Sequence, residues 1–149
     1  MGVDREGMVV NPASNSLRSH LVQNKPPRGS TSSDPSQSAG VYHVPCGGCE
    51  LAYYGETGRS IDVRVGEHQG AIRRRDTRNA CYKHVSSTKH EIDFENTHVV
   101  YKSDDWYNRL VVESSCIVTL PNFNNMRSTL AIDKLSADII LNKTKNVLL

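Results

Sequence analysis

The stretch from Gly40 to His68 constrains the fold of this chain more than any other part of the sequence. It contains two short runs of strand-forming residues, G-V-Y-H-V and L-A-Y-Y-G, on either side of C-G-G-C. Valine and tyrosine favour extended backbone, and Gly-Gly between such runs is typical of a tight β-hairpin. A turn centred on the two glycines predicts that Tyr42 lies opposite Tyr53, so that both phenols project from one face. An ordinary aromatic cross-strand pair is the alternative interpretation.

A helix is predicted directly after the hairpin, and it carries two further polar side chains. Ser60 is a suitable N-cap, and one helical face carries residues at steps of four, three and four: Ile61, Val65, His68 and Ile72. His68 therefore lies on the apolar face, and Arg64 flanks it. A histidine on such a face is more often a packed core residue than a functional one. An arginine beside it, directed toward two tyrosines, also fits a phosphate-binding pocket.

The rest of the sequence predicts one more strand and further helices. Polar turns and apolar runs indicate a short helix over 80–87, a strand over 97–102 and a long helix that starts after 103 and ends before Pro121. The segment 131–142 is compatible with a closing helix or with irregular structure. We therefore expect an α+β domain, within the broad α/β class, in which a three-stranded antiparallel sheet is flanked by helices.

Composition sets the expected domain boundaries. Residues 24–40 are rich in Pro, Ser, Gly and Lys, so we expect 1–39 to be a disordered N-terminal segment and linker. The compact domain is expected over 40–142, followed by a frayed tail over 143–149. The N-terminal region lacks a secretory apolar region, and no apolar run is long enough to span a bilayer. We therefore expect no membrane association.

One carboxylate falls within the apolar face predicted for the long helix. Glu113 lies seven residues after Trp106 and three after Leu110. An unpaired carboxylate on a buried face is costly, so it requires a cation, a hydrogen-bonding partner or a solvent-lined cleft. A salt bridge to an arginine of the first helix and a bound metal ion both meet this requirement. We expect Arg64, His68 and Glu113 to converge with the two tyrosines on one face of the sheet.

The chain also contains two closely spaced pairs of metal-ligating residues: Cys46 with Cys49, and His84 with His90. Tetrahedral Zn²⁺ prefers such sets of sulfur and nitrogen ligands. A zinc ion there would join the hairpin tip to the segment after the first helix, and four protein ligands would leave no open position for chemistry. Unrelated thiols and surface histidines are the alternative interpretation. The remaining cysteines, Cys81 and Cys116, fit no ligand pair.

The charge balance argues against a globally basic nucleic-acid-binding protein, because the net charge is only +2. Basic charge is local instead, in a cluster after the first helix formed by Arg73, Arg74, Arg75 and Arg78. A patch that tracks phosphates and a solvated helix end are equally compatible with this cluster.

Taken in order, these residues resemble the GIY-YIG nuclease family. The matching positions are Gly40-Val41-Tyr42, then Tyr53-Tyr54-Gly55, followed by Arg64 and His68. More narrowly, C-G-G-C between the two halves, E-T-G-R-S and H-x5-H-x-I-D-F resemble the endonuclease domain of Penelope-like retroelements. The resemblance extends over residues 40–141.

The resemblance implies a metal-dependent DNA endonuclease with a GIY-YIG fold and a structural zinc staple. In that family a helical glutamate, here Glu113, holds a single divalent ion, Mg²⁺ or Mn²⁺. Tyr42 matches the tyrosine that activates the attacking water, and Tyr53 matches the one that orients the water or a phosphate oxygen. Arg64 matches the phosphate-contacting arginine, and His68 matches the histidine that supports proton transfer.

The C-terminal part of the resemblance is looser. The late asparagine of the family best matches Asn124, with Asn125 as the alternative, and the following M-R-S-T-L-A-I-D departs from the family pattern. The resemblance implies a DNA target nicked for retroelement integration, a larger reverse transcriptase–endonuclease polyprotein and a nuclear location. Two other functions remain open. One is an inactive zinc-stabilised DNA-binding module from a decayed or domesticated element, and the other is a host-encoded repair nuclease of the same superfamily.

Overall fold

The computed structural model describes residues 39–124 and 130–145. Within them the chain folds as an α+β domain with a three-stranded antiparallel sheet and four α-helices, which confirms the expected fold class. The elements are β1 (Gly40–Pro45), β2 (Ala52–Thr57), α1 (Ile61–Arg73), α2 (Ala80–Thr88), β3 (His98–Lys102), α3 (Trp106–Thr119) and α4 (Lys134–Thr144), with a 3-10 turn over Phe94–Asn96. Residues 131–142 therefore belong largely to a helix. The predictions for 1–38, for Asn125 and for the last four residues lie outside the described residues.

The hairpin register differs from the predicted one by two residues. Tyr42 pairs with Gly55, and Tyr53 pairs with Val44, so the predicted opposition of Tyr42 and Tyr53 is wrong. The physical reason is a wider loop, because the Cys46 amide bonds to the Leu51 carbonyl at 3.1 Å instead of a tight Gly-Gly turn closing the hairpin. A shift of two residues preserves the face of every side chain. Both phenols therefore still project together, with ring centroids 6.0 Å apart.

The sheet, in the order β2-β1-β3, lies between two layers of helices. Alternate side chains of β1 point to opposite faces, and each face has its own apolar cluster. The cluster on the α1 face contains Tyr42, Val44 and Ile61. The cluster on the α3 and α4 face contains Val41, Ala52, Tyr54, Val112, Cys116 and Leu141. The prediction that Glu113 shares one face with Arg64 and His68 is therefore wrong, because α3 and α1 pack on opposite faces.

Asparagine and aspartate side chains begin three of the four helices. Asn79 accepts hydrogen bonds from the second and third residues after it, and Asp105 and Asp133 each accept one from the third residue after them. Each satisfies backbone N–H groups that have no partner inside the helix. Ser60 does stand at the N-cap of α1, but its side chain makes no capping hydrogen bond. Among the described helices, none has both the length and the apolar character needed to cross a membrane.

Candidate functional site

The two phenols lie over a glycine. Gly55 pairs with Tyr42 across the hairpin, and a Cβ atom built on Gly55 would lie 2.6 Å from the Tyr42 hydroxyl and 2.7 Å from the Tyr53 ring. These separations are well inside van der Waals contact, so any side chain at residue 55 would displace the phenols. The glycine of the Y-Y-G sequence therefore has a steric role, which is to leave room for both rings on one face.

A histidine of α1 completes the contact with the first phenol. His68 is buried, and its Nε2 atom lies 2.9 Å from the Tyr42 hydroxyl oxygen. Its ring also packs edge-on against the Tyr53 ring at a centroid distance of 4.8 Å. Burial, reinforced by the nearby Arg64 guanidinium, lowers the pKa of His68 to about 4. The imidazole is therefore neutral at neutral pH, with one nitrogen as a donor and the other as an acceptor.

Both phenols resist ionisation in this environment. Burial, together with the neighbouring Tyr53, raises the pKa of Tyr42 well above its ordinary value, while the Arg64 charge acts in the opposite direction. Burial and the charge of Glu113 raise the pKa of Tyr53 to about 12. A ligand that brings positive charge into this cluster would favour the phenolate forms.

Arg64 provides the positive charge of the cluster and keeps donor capacity free. Its guanidinium forms an ion pair with Glu67 one turn later on α1, and Glu67 also pairs with Arg59. Within the described residues, the Arg64 Nε atom is buried and has no hydrogen-bond partner. A buried, unpartnered guanidinium donor is a natural contact for a phosphate oxygen.

Glu113 lies at the outer edge of β2 and not on the phenol face. One carboxylate oxygen accepts a hydrogen bond of 3.0 Å from the Glu56 amide. The carboxylate thus takes the place that the backbone carbonyl of a neighbouring strand would occupy. Burial and the charge of Glu56 raise the pKa of Glu113 to about 7, against the lowering effect of that amide and of Arg64. The carboxylate interacts electrostatically with both Tyr53 and Arg64. Glu113 thus approaches Tyr53 and Arg64 from the opposite helix layer, and these two residues link it to the Tyr42–His68 pair.

Arg109 and Glu56, which are not among the predicted site residues, anchor α3 at this edge. Arg109 is 4% exposed, donates from Nε to a Glu56 carboxylate oxygen at 3.0 Å and bonds two backbone carbonyls through Nη1. It lies one helical turn before Glu113 on the same face of α3. The buried face of α3 is therefore offset from the predicted stripe. The E-T-G-R-S sequence offered a signal, because a charged residue inside a strand requires a partner.

Asn124 hydrogen-bonds to the outer edge of β2 and lies outside the phenol cluster. The Tyr54 amide donates to Asn124 Oδ1 at 2.9 Å, and Asn124 Nδ2 donates to the Tyr54 carbonyl at 2.6 Å. The Phe123 amide bonds the Ala52 carbonyl in addition. An edge strand normally exposes such backbone groups. Asn124 therefore replaces a neighbouring strand over part of the outer edge of β2.

The two Cys/His pairs form a second polar cluster at the hairpin tip. The ligand atoms of Cys46, Cys49, His84 and His90 all lie within 4.8 Å of one another, and this is the group of potential metal ligands found among the described residues. The three sulfur–nitrogen contacts measure 3.2, 3.6 and 3.6 Å. Zinc–sulfur and zinc–nitrogen bonds of normal length at a tetrahedral angle separate the two atoms by about 3.5 Å. The donor set and its spacing therefore fit a metal ion such as zinc.

The loop backbone supports this cluster. The Gly48 amide lies 3.3 Å from the Cys46 sulfur, and a Cβ atom on Gly48 would lie 2.6 Å from the His90 ring. Glycine at that position lets the ring pack directly on the loop. His84 stacks on Phe123 with centroids 4.2 Å apart, which joins the cluster to the segment that covers β2. Cys81 packs against Cys46 and Phe123 without belonging to the ligand group, and Cys116 is buried on the opposite face of the sheet.

The predicted basic patch is exposed at the end of α1 and in the turn after it. Arg73, Arg74 and Arg75 are exposed, whereas Arg78 pairs with Asp76 at 3.0 Å while its side chain is 90% exposed. The patch therefore presents three arginines for which no ion pair is formed within the described residues.

The comparisons with known proteins add no family to this description. No protein-family model, curated protein or solved structure matches the chain.

Proposed function

We propose that this protein is a metal-dependent DNA endonuclease of the GIY-YIG type. The observation that carries the proposal is the contact between the Tyr42 hydroxyl and neutral His68, beside a buried Arg64 donor without a partner. It costs free energy to bury a neutral imidazole, two phenols and a guanidinium together in a core. A phosphodiester with a hydrolytic water is a ligand that would use all of these groups.

In this proposal each side chain has a separate task. A bound cation would favour the phenolate form of Tyr42, whose own proton is released to solvent before the reaction. The phenolate oxygen then accepts a proton from water as the water oxygen bonds to phosphorus. The bond from phosphorus to the leaving sugar oxygen breaks, and the leaving oxygen takes a proton from solvent. Arg64 binds a non-bridging phosphate oxygen and stabilises the charge that develops there. Tyr53 orients the water or the phosphate. His68 supports Tyr42 through their hydrogen bond.

Glu113 is the residue proposed to hold the catalytic ion, Mg²⁺ or Mn²⁺. Its second carboxylate oxygen makes no hydrogen bond within the described residues, so it remains available as a ligand. Oxygen ligands suit both ions, and a bound divalent ion supplies charge stabilisation for the phosphate and for the leaving oxygen. The carboxylate carries a raised pKa because it is buried, and a cation would relieve that cost.

The remaining features extend the proposal. The Cys/His cluster acts as a structural zinc site, and the arginines after α1 contact the DNA backbone. Retroelement target nicking, a larger polyprotein and a nuclear location are proposed on the resemblance of the motifs alone. Asn124 would support the site by fixing β2 rather than by touching the DNA.

A plasmid-nicking assay with Mg²⁺ tests the proposal. We expect Glu113→Gln to reduce cleavage by about a hundredfold or more while DNA binding is retained. Glu95→Gln changes an exposed glutamate of the 3-10 turn and is the matched control. Equal nicking by Glu113→Gln and the unchanged protein would remove the metal-ligand role. Binding without any nicking by the unchanged protein would instead favour the inactive DNA-binding module.

A further inference from the structure

A chain of hydrogen bonds lies behind His68, on the side of its second ring nitrogen. His68 Nδ1 lies 3.2 Å from Asn79 Nδ2, on the side of the ring away from Tyr42. Asn79 is the N-cap of α2, and its Oδ1 accepts hydrogen bonds from the Cys81 amide at 2.9 Å and the Tyr82 amide at 3.2 Å. These two donors fix the side-chain amide, because the opposite orientation would set its NH₂ group against both N–H groups.

The fixed amide leaves His68 Nδ1 only the role of acceptor. Asn79 Nδ2 is a donor, so a hydrogen on His68 Nδ1 would point at an N–H hydrogen of the Asn79 amide. The Cys81 thiol lies 3.6 Å from the same nitrogen and can donate its S–H hydrogen to it. The Asn79 amide therefore fixes Nδ1 as an acceptor, and the thiol is compatible with that role.

We infer that Asn79 is a positioning residue that holds neutral His68 in its Nε2–H tautomer, so that His68 donates its hydrogen bond to the Tyr42 oxygen. His68 then cannot accept the Tyr42 proton. It stabilises negative charge on the phenol oxygen instead, which assigns proton acceptance to Tyr42 alone. The consequence for catalysis rests on the proposed function, whereas the tautomer itself does not.

Asparagine at position 79 does more than the start of α2 requires. Serine, aspartate and asparagine serve almost equally well as N-caps. Aspartate has no donor, and serine would have to donate from the capping oxygen itself, whereas asparagine caps with its oxygen and donates to the neighbouring ring from a separate nitrogen. One residue thus begins α2 and sets the direction of the hydrogen bond between α1 and β1.

Nitrogen-15 NMR of the histidine side chains in the intact chain tests the tautomer directly. We expect His68 to give the Nε2–H pattern at pH 7. Asn79→Asp keeps an N-cap oxygen but places an acceptor against Nδ1, so at pH 9 we expect it to move the proton to Nδ1. Asn108→Asp makes the same change at an exposed position of α3 and should leave the His68 signals unchanged. An Nδ1–H pattern in the unchanged protein, or an unchanged pattern in Asn79→Asp, would overturn the inference.

Single-turnover cleavage at pH 9 supplies the functional arm. We expect Asn79→Asp to cleave at least about tenfold more slowly, with unchanged affinity for DNA, because Tyr42 loses a donor. If the NMR result holds and the unchanged protein cleaves no DNA, the proposed function fails and the tautomer assignment stands. If cleavage is normal in Asn79→Asp although the tautomer has changed, the role of that hydrogen bond in catalysis is wrong.

Discussion

The two polar clusters of this domain lie close together, but they differ in how far the protein's own side chains satisfy their polar atoms. At the hairpin tip, four side chains of complementary type bring their ligand atoms within 4.8 Å of one another and fit a single ion. Around Tyr42, groups of different chemical type retain hydrogen-bonding atoms that have no partner within the described residues. Examples are the buried Nε of Arg64 and the second carboxylate oxygen of Glu113. The first cluster is closed by the protein itself, whereas the second needs a ligand to complete its interactions.

The difference indicates which cluster serves stability and which serves function. A closed set of four ligands leaves no position for a substrate. In the open cluster, the pKa of Glu113 is raised and that of His68 is lowered, each chiefly by burial. Burial also raises the pKa of Cys46 and lowers that of His84 at the hairpin tip, so the unpartnered polar atoms, and not the pKa shifts, distinguish the two clusters. Perturbing the first cluster should therefore unfold the protein, and perturbing the second should leave it folded.

The largest expected effect is the loss of the metal ion at the hairpin tip. We expect Cys49→Ser to lose about one zinc per chain and its cooperative thermal transition, because structural zinc contributes on the order of 10 kcal/mol in small domains. Elemental analysis and circular dichroism measure the two effects. Cys116→Ala, which alters a buried thiol outside the cluster, should keep its metal. A Cys49→Ser protein that stays folded and keeps its metal would show that the Cys/His cluster, like the Tyr42 cluster, is not required for stability.

Glu113→Gln should have the opposite effect on stability. The folded pKa of about 7 lies above the ordinary value of 4.5, so the stability that this carboxyl group contributes at low pH is lost as the pH rises from 4.5 to 7. At pH 8 without divalent ions, we expect the variant to be more stable by about 1 to 3 kcal/mol. Urea unfolding measures this, and added Mg²⁺ should stabilise only the unchanged protein. A destabilised variant at pH 8 would show that Glu113 is structural.

His68 should contribute to acid sensitivity. Its folded pKa of about 4 lies below the ordinary value of 6.5, so the unfolded chain binds an extra proton between those values. Stability therefore falls as the pH drops from 6.5 toward 4, by up to about 3 kcal/mol. We expect His68→Gln to lose less stability over this range, with His98→Gln, an exposed histidine, as the control. Equal pH dependence in all three proteins would mean that His68 is not buried in its neutral form.

The smallest effect on stability is expected at the arginines after α1. Replacing Arg73, Arg74 and Arg75 with glutamine should change stability little, because these side chains are exposed. It should lower the slope of log affinity for DNA against log salt by up to about 3, whereas Arg78→Gln should matter less because Asp76 already pairs with Arg78. Lys143→Gln on α4 is the control. An unchanged salt slope would remove the patch from the DNA interface.

Local patterns predicted much of this structure. Alternation and turn residues located the strands, and the step of Ile61, Val65 and His68 located α1. Residue type and spacing also identified the Cys/His cluster, because few side chains bind metals well. The strands and α1 depend on neighbours in sequence, and each half of the Cys/His cluster is a closely spaced pair of one residue type, which is why the sequence could predict them.

The missed features depend on side-chain contacts and layer positions that periodic patterns do not encode. Asn124 bonds Tyr54 seventy positions away, and no periodic pattern marks such a pair. The hairpin register also escaped prediction, since the Cys46 sulfur accepts from the loop amide of Gly48 and widens the turn. Glu113 was assigned to the wrong face because helical periodicity identifies a buried stripe but not the helix layer to which it belongs.

The covered edge of β2 also bears on how copies of this chain can meet. Asn124 and Glu113 bond the outward amides of Tyr54 and Glu56 that a foreign strand would need. Polymerisation by strand addition is thereby blocked on this side of the sheet. The proposed cleavage site at this border and protection from fibrous self-assembly would then depend on the same two side chains.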